Sequence, residues 1–407
     1  MKLAYSTVPM ISIAFLIAAC GGTQSGAPPP SNVLQSVGTG EGALNLIAWT
    51  GYVESGKTDP KVDWVTPFQK QTGCNINVKF ADTSDEMVTL MRQGGGTVWD
   101  GVSASGDAIN RLIAHGDVAE VKVSLISDFK NVIPTLQSPK HNTINGHHYG
   151  VPYMYGPNVL MYNTQVVKPA PTSWAPTWDP NSPYKGKVAA YDSPIFIADA
   201  ALYLKTHQPS LHITDVYELT ETQLMASISL LKQQAPLIKK YWSATTDETD
   251  PFSSGDMVIG TAWPYQVSFL KSENKPIAAL VPSEGATGWA DTWMMSSHSQ
   301  HPNCMYRWMQ WTERPDVQDQ VAEFYGATPS NGKACDLLRQ HLGATADSDY
   351  HCGDDAFLKK IALWKTPLAA CGDSRGTTCT DYSEWSQKWQ EVRGTKQRQP
   401  RPLPADR

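Results

Sequence analysis

The order of apolar runs between residues 44 and 115 constrains this chain more than any other feature. Leu44–Ala48 (LNLIA) reads as a strand, and Pro60–Thr72 then places Val62, Val65 and Phe68 at helical spacing before Gly73. Asn75–Phe80 (NINVKF) alternates as a strand does. Ser84–Arg92 opens on a cap-like Ser and two acids, then presents Met87, Leu90 and Met91. Asp100–Ser103 reads as a short strand and Asp107–His115 as a helix. A β-α-β-α-β series packs as a parallel sheet covered by helices, so an α/β lobe is predicted. In open sheets of this kind ligands sit beyond the carboxyl ends of the strands. Trp49, Thr50, Tyr52, Thr83, Ser84, Ser105 and Asp107 all follow predicted strand ends.

The pattern continues with strands at Gly150–Tyr155, Val159–Tyr162 and Val188–Tyr191, the last ending at Asp192. Helices are predicted at Ile197–Thr206 and Thr222–Gln234, then strands at Val258–Trp263 and Ala278–Val281. Trp289–Met295 can return to the first lobe, followed by helices at Met305–Thr312 and Asp316–Phe324. A chain of 407 residues has room for two or three domains, and 41% hydrophobic with 18% charged residues is an ordinary globular balance. A net charge of −6 supplies no summed basic field, which argues against nucleic acid as a partner.

The first residues set the compartment. Lys2 precedes the apolar run Val8–Ala19, which is too short for a stable membrane anchor. Ile17-Ala18-Ala19-Cys20 resembles a bacterial lipobox, in which residues 1–19 are cleaved as a signal peptide and Cys20 becomes the lipidated N-terminus. An ordinary secretory signal with an incidental Cys is the alternative. Residues 20–43 are rich in Pro, Gly and Ser and read as a flexible tether. The expected location is outside the cell membrane, anchored to it by lipid.

Six further cysteines, an even number in an exported chain, suggest three disulfides among fifteen possible connectivities. Cys371 and Cys379 flank a polar loop and suit a local bridge; Cys335–Cys352 and Cys74–Cys304 are weaker expectations. Enzyme motifs are weak. Gly101-Val-Ser103-Ala-Ser105 breaks the GxSxG pattern at its last position, and Gly326–Lys333 has the wrong spacing for a phosphate loop. His147 and His148 adjoin, so their side chains diverge on a strand. No catalytic residue, metal or cofactor is expected.

An ordered series of short motifs resembles the bacterial ABC-transporter solute-binding proteins of the spermidine/putrescine type (extracellular solute-binding protein family 1). The series runs from Trp49-Thr50-x-Tyr52 and Thr72-Gly73 through Asp100, Ser105 and Val151-Pro152-Tyr153-x-x-Gly156. It continues with Tyr184-Lys185-Gly186, Asp192, Trp263, Pro282-x-Glu284-Gly285 and Trp289-x-Asp291. It closes on Arg314-Pro315-Asp316-Val317 and Gly326–Asn331. The resemblance implies an α/β fold: a two-lobed periplasmic-binding-protein clamp, each lobe a mainly parallel sheet flanked by helices, joined by crossover hinge strands. By analogy lobe one is 44–157 plus 290–335, and lobe two is 158–289 plus 336–407. It also implies a non-enzymatic monomer that captures a polyamine in the interlobe cleft and delivers it to a membrane permease.

The chemistry of such a ligand fits the residue types. A polyamine needs flat apolar walls for its methylene chain, which Trp and Tyr supply together with cation–π attraction. It needs carboxylates for its ammonium ends, because an unpaired charge in a closed cleft is costly. The resemblance carries ligand contact onto Trp49, Tyr52, Ser105, Trp263, Trp289 and Asp291. For Asp291 the alternative is a hinge-capping carboxylate, for the aromatics core packing, and for Ser105 helix capping. The family's acids depart here: Gly51 stands beside Trp49, and Ser193 and Phe196 replace a pair after the lobe-two strand. Asp107 and Asp192 are the possible replacements, each with a cap or turn role as the alternative. Tyr153 and Tyr155 are further possible cleft residues. The same clamp could instead hold another small amine such as γ-aminobutyrate, given a cation such as Arg92 or Arg111, or a sugar, given Asn and Gln side chains. Residues 353–407 match the family poorly and have no predicted role.

Overall fold

A computed structural model describes residues 33–94, 97–343, 345–372 and 378–397. Cys20 and the signal segment lie outside the described residues.

Two mixed sheets form two lobes. The first sheet has the strand order Thr328–Pro329, Val151–Pro157, Ala286–Met295, Gly101–Ala104, Ala43–Ala48, Asn75–Phe80. The three N-terminal strands are parallel, as the β-α-β-α-β reading requires. Ala286–Met295 runs antiparallel to its neighbours Gly101–Ala104 and Val151–Pro157, so the sheet is mixed rather than mainly parallel. The second sheet is ordered Ile277–Leu280, Val159–Asn163, Ile259–Ala262, Val188–Tyr191, Ile238–Trp242. Its last strand and the helix Thr246–Ser254 are absent from the sequence reading. Polar Lys239 and Lys240 break the apolar run of Ile238–Trp242, and Pro251 sits inside the helix. The expected helix from Pro60 begins instead at Val65, because residues 55–63 form a turn closed by a Ser55–Asp63 bridge.

Caps explain several boundaries. Thr220 and Gln223 form a reciprocal capping box on the helix Glu221–Gln234. Thr220→Ala should cost about 1 kcal/mol, measured by urea unfolding. The helices Val65–Thr72, Gly106–His115 and Pro315–Tyr325 each stop at a glycine in the left-handed region.

The lobes meet where two strands pass between them at Asn158 and Thr287. The Asn158 backbone N–H donates to the Thr287 carbonyl (2.8 Å) and its side-chain amide to Thr287 Oγ1 (2.6 Å). Thr287 Oγ1 in turn donates to Asp199 Oδ1 (3.0 Å), so the crossing is tied to the lobe-two helix Ile197–His207.

The C-terminal residues depart from the expected assignment of 336–407 to lobe two. The helix Gly332–Leu342 packs on Pro315–Tyr325 in lobe one. Ile361–Leu363 then pairs in parallel with Ala286–Gly288, whose edge the first sheet leaves open, and so adds a third chain at the crossing. Beyond it the segment touches both lobes. Thr366 Oγ1 donates to the Asp107 carbonyl (2.8 Å) on one side, and Lys365 pairs with Asp215 (2.7 Å) on the other. The last helix, Tyr382–Gln397, buries Trp385, Trp389 and Val392 against lobe two. Its Tyr382 hydroxyl reaches back to Asp85 of lobe one (3.0 Å). The disulfides are Cys74–Cys304, Cys335–Cys352 and Cys371–Cys379.

Candidate functional site

Strand ends from both sheets converge on one hollow between the lobes. Trp49 follows Ala43–Ala48, Ser105 follows Gly101–Ala104, and Trp263 follows Ile259–Ala262. Trp289 and Asp291 are two apart on Ala286–Met295 and therefore share a face. At Asp291 the ladder is irregular, with Tyr153 and Met154 of the neighbouring strand opposing it as a bulge. These five residues, with Tyr325 and Trp364, line the hollow.

The walls are in contact. Trp49 and Trp263 meet edge to face at 5.6 Å, and Trp289 meets Tyr325 at 5.6 Å. Trp263 is propped by Trp242 (4.8 Å) and Tyr191 (5.2 Å) of lobe two. Trp364 stacks on Tyr191 at 5.9 Å with an interplanar angle of 11°. The free space is about 10 Å³, on the order of one water. Even a four-carbon amine therefore requires the lobes to part. A larger open cavity of about 590 Å³ lies between residues 58–62, Pro264–Ser272 and Pro315–Tyr325, and no indole lines it.

Asp291 is the carboxylate of the hollow. It is 3% exposed, accepts from the Tyr52 hydroxyl at 2.7 Å and from the Ser105 hydroxyl, and has no Lys or Arg against it among the described residues. Burial pushes its carboxyl up to about 7, and those two hydrogen bonds oppose the shift. Burial, followed by the Asp291 charge, drives the Tyr52 phenol well above its ordinary value, so Tyr52 remains a donor. Ser105 occupies the N-cap position of Gly106–His115 but makes no side-chain cap bond; its hydroxyl serves Asp291 instead.

Of the eight residues nominated from the sequence, Trp49, Ser105, Trp263, Trp289 and Asp291 line the hollow, and Tyr52 supports Asp291 from behind. Asp107 and Asp192 do not reach it. Asp107 is fully buried, accepts from Ser84 Oγ (2.8 Å) and lies in the field of Arg111. Asp192 accepts from the Trp389 indole N–H (3.1 Å) and pairs with Arg393 (2.9 Å), both on the last helix. Tyr153 packs on Tyr52 and Trp293, and Tyr155 packs with Val132, Leu136 and Ala290; neither lines the hollow. Arg111 is held by Asp85 (2.7 Å) and lies over the Tyr382 ring, while Arg92 lies beside Asp117 (3.5 Å). No Asn or Gln is in the lining. His147 pairs with Glu120 and His301 with Asp100.

Trp364 is absent from the sequence reading, and Tyr325, two positions before the Ala327 that stands where the family has a Tyr, is not among the nominated residues. Trp364 is brought in by the pairing of Ile361–Leu363, and its backbone N–H donates to the Gly288 carbonyl (2.6 Å). Gly106 makes room for it, since a Cβ there would lie 1.7 Å from the Trp364 carbonyl oxygen. An apolar triplet is too short to announce a strand, so only the Trp itself could have drawn notice.

Two α/β lobes joined by crossing strands, closing aromatic walls and one carboxylate around a hollow, define a solute-binding clamp. The chain belongs to the bacterial extracellular solute-binding proteins, a family that matches residues 63–340. Over 346 residues it is 24% identical to the spermidine/putrescine-binding periplasmic protein of Escherichia coli K12, covering 85% of this chain and 90% of that one. Its fold is similar to that of a spermidine/putrescine ABC transporter substrate-binding protein from Streptococcus pneumoniae, with a TM-score of 0.65 at 19% identity, covering 87% of this chain and 99% of the other. It is also similar to a GABA receptor, with a TM-score of 0.61 at 16% identity over 88% of this chain and 99% of that one. Solute-binding proteins of ABC importers bind small ligands and partner with a membrane permease, which is a transport role. Among the described residues no helix is long and apolar enough to cross a membrane.

Proposed function

We propose that the chain is the substrate-binding lipoprotein of an ABC importer, lipidated at Cys20, which captures a small aliphatic amine as a monomer and passes it to its permease. One observation carries this reading: Asp291 is a buried carboxylate that faces a hollow walled by indoles and has no cation of the described protein beside it. An ammonium group supplies that cation, and its hydrocarbon stem lies against the indole faces. Trp49 and Asp291 come from lobe one and Trp263 from lobe two, so a bound solute touches both lobes and favours a state closed around it, wider than the hollow described above. A sugar is disfavoured by a lining without Asn or Gln.

A thermal-shift screen with putrescine, spermidine, spermine, γ-aminobutyrate and sugars tests the reading, because a ligand of the folded state raises the melting temperature by mass action. Stabilisation by an amine, with compaction in small-angle scattering, is the expected result. Stabilisation by sugars alone would overturn it.

A further inference from the structure

We infer that the preferred ligand carries one positive charge and one oxygen acceptor, as an amino alcohol or amino acid does, rather than two ammonium ends. The inference rests on the amine reading above and adds the other end of the molecule.

The hollow offers a single carboxylate. Asp192, a possible replacement for the family's missing acids, is engaged by Trp389 and Arg393 of the last helix. Asp107 lies outside the lining, with Oδ1 on Ser84 and Oδ2 without a hydrogen-bond partner, and Asp199 accepts from Thr287 at the crossing. A second ammonium held among these lining residues would meet no second acid, which is costly for a desolvated charge.

The buried polar atoms of the wall that lack a partner are donors. The indole N–H groups of Trp49, Trp289 and Trp364 are buried and have no acceptor, and all three residues line the hollow. Buried donors without partners are unfavourable, and an acceptor on the ligand relieves them. An ammonium brings three more donors to such a wall, whereas a hydroxyl or carboxylate oxygen brings lone pairs. Arg111 and Arg92 are engaged elsewhere, so these N–H groups are the donors available to a ligand carboxylate. Trp364 also closes the lobe-two side by stacking on Tyr191, which keeps the site compact.

The test is isothermal titration of the mature protein with four amines of one carbon length: butylamine, putrescine, 4-amino-1-butanol and γ-aminobutyrate. The expected order places one of the two oxygen-bearing amines at least tenfold tighter than butylamine, and putrescine weakest. Putrescine binding as tightly as the better oxygen ligand would overturn the inference while leaving the amine reading intact. Binding by none of the four would overturn both. Trp364→Phe keeps an aromatic wall but removes one N–H, and should weaken the better oxygen ligand more than butylamine. Equal losses would overturn the donor role and assign Trp364 to packing.

Discussion

Asp291→Asn is expected to weaken amine binding by about 2 kcal/mol or more, roughly thirtyfold in Kd, because it removes the charge partner of a desolvated ammonium. The substitution is nearly isosteric, and the Tyr52 and Ser105 hydroxyls can still bond the amide. Titration calorimetry of the folded variant measures the loss. A change under about 0.5 kcal/mol would assign Asp291 to structure alone. The same variant should be more stable than the parent at pH 8 without ligand. Burial raises the carboxyl from its ordinary 3.8 to about 7, so its favourable contribution is present below the ordinary value and is lost as pH rises through 7. Binding has the opposite sign. A cation selects the ionised form, so affinity falls as pH drops below about 7, and binding at pH 6 releases a proton. Asp107 (about 6) and Asp199 (about 7), both raised by burial, titrate nearby. Loss of proton release in Asp291→Asn therefore isolates the residue responsible.

Trp385→Ala is expected to cost about 3–5 kcal/mol of stability, the range for emptying a large buried aromatic site. Trp385 has no exposed surface, and its indole N–H donates to Thr380 Oγ1 (3.0 Å). It anchors the helix that brings Trp389 and Arg393 to Asp192, and Tyr382 to Asp85. Chemical denaturation followed by tryptophan fluorescence measures the loss. A cost below about 1 kcal/mol would show that the last helix is an appendage rather than part of the core.

These two residues mark what was legible in the sequence. Asp291 was readable through the family resemblance carried by Trp289-x-Asp291, and the strand then places that indole and that acid on one face. The N-terminal strands were readable because their partners are local and their period is clean, as at Asn75–Phe80. Asp192 was not readable: its partners Trp389 and Arg393 lie about 200 positions away, and no local pattern reports a fold-back of that length. Trp385, Trp389 and Val392 did carry a helical spacing of four and three, and that signal was available but unused. Ser105 stands where a capping serine would, and only tertiary contact shows its hydroxyl turned to Asp291.

The first sheet gathers strands from Ala43 to Leu363. No partial chain emerging from synthesis can complete it, because its central partner Ala286–Met295 and the pairing strand Ile361–Leu363 arrive late. Contacts of such long sequence separation fold slowly. The tail is therefore part of the folding unit of the first lobe, and a chain ending before Ile361 would leave Ala286–Gly288 as an unpaired sheet edge.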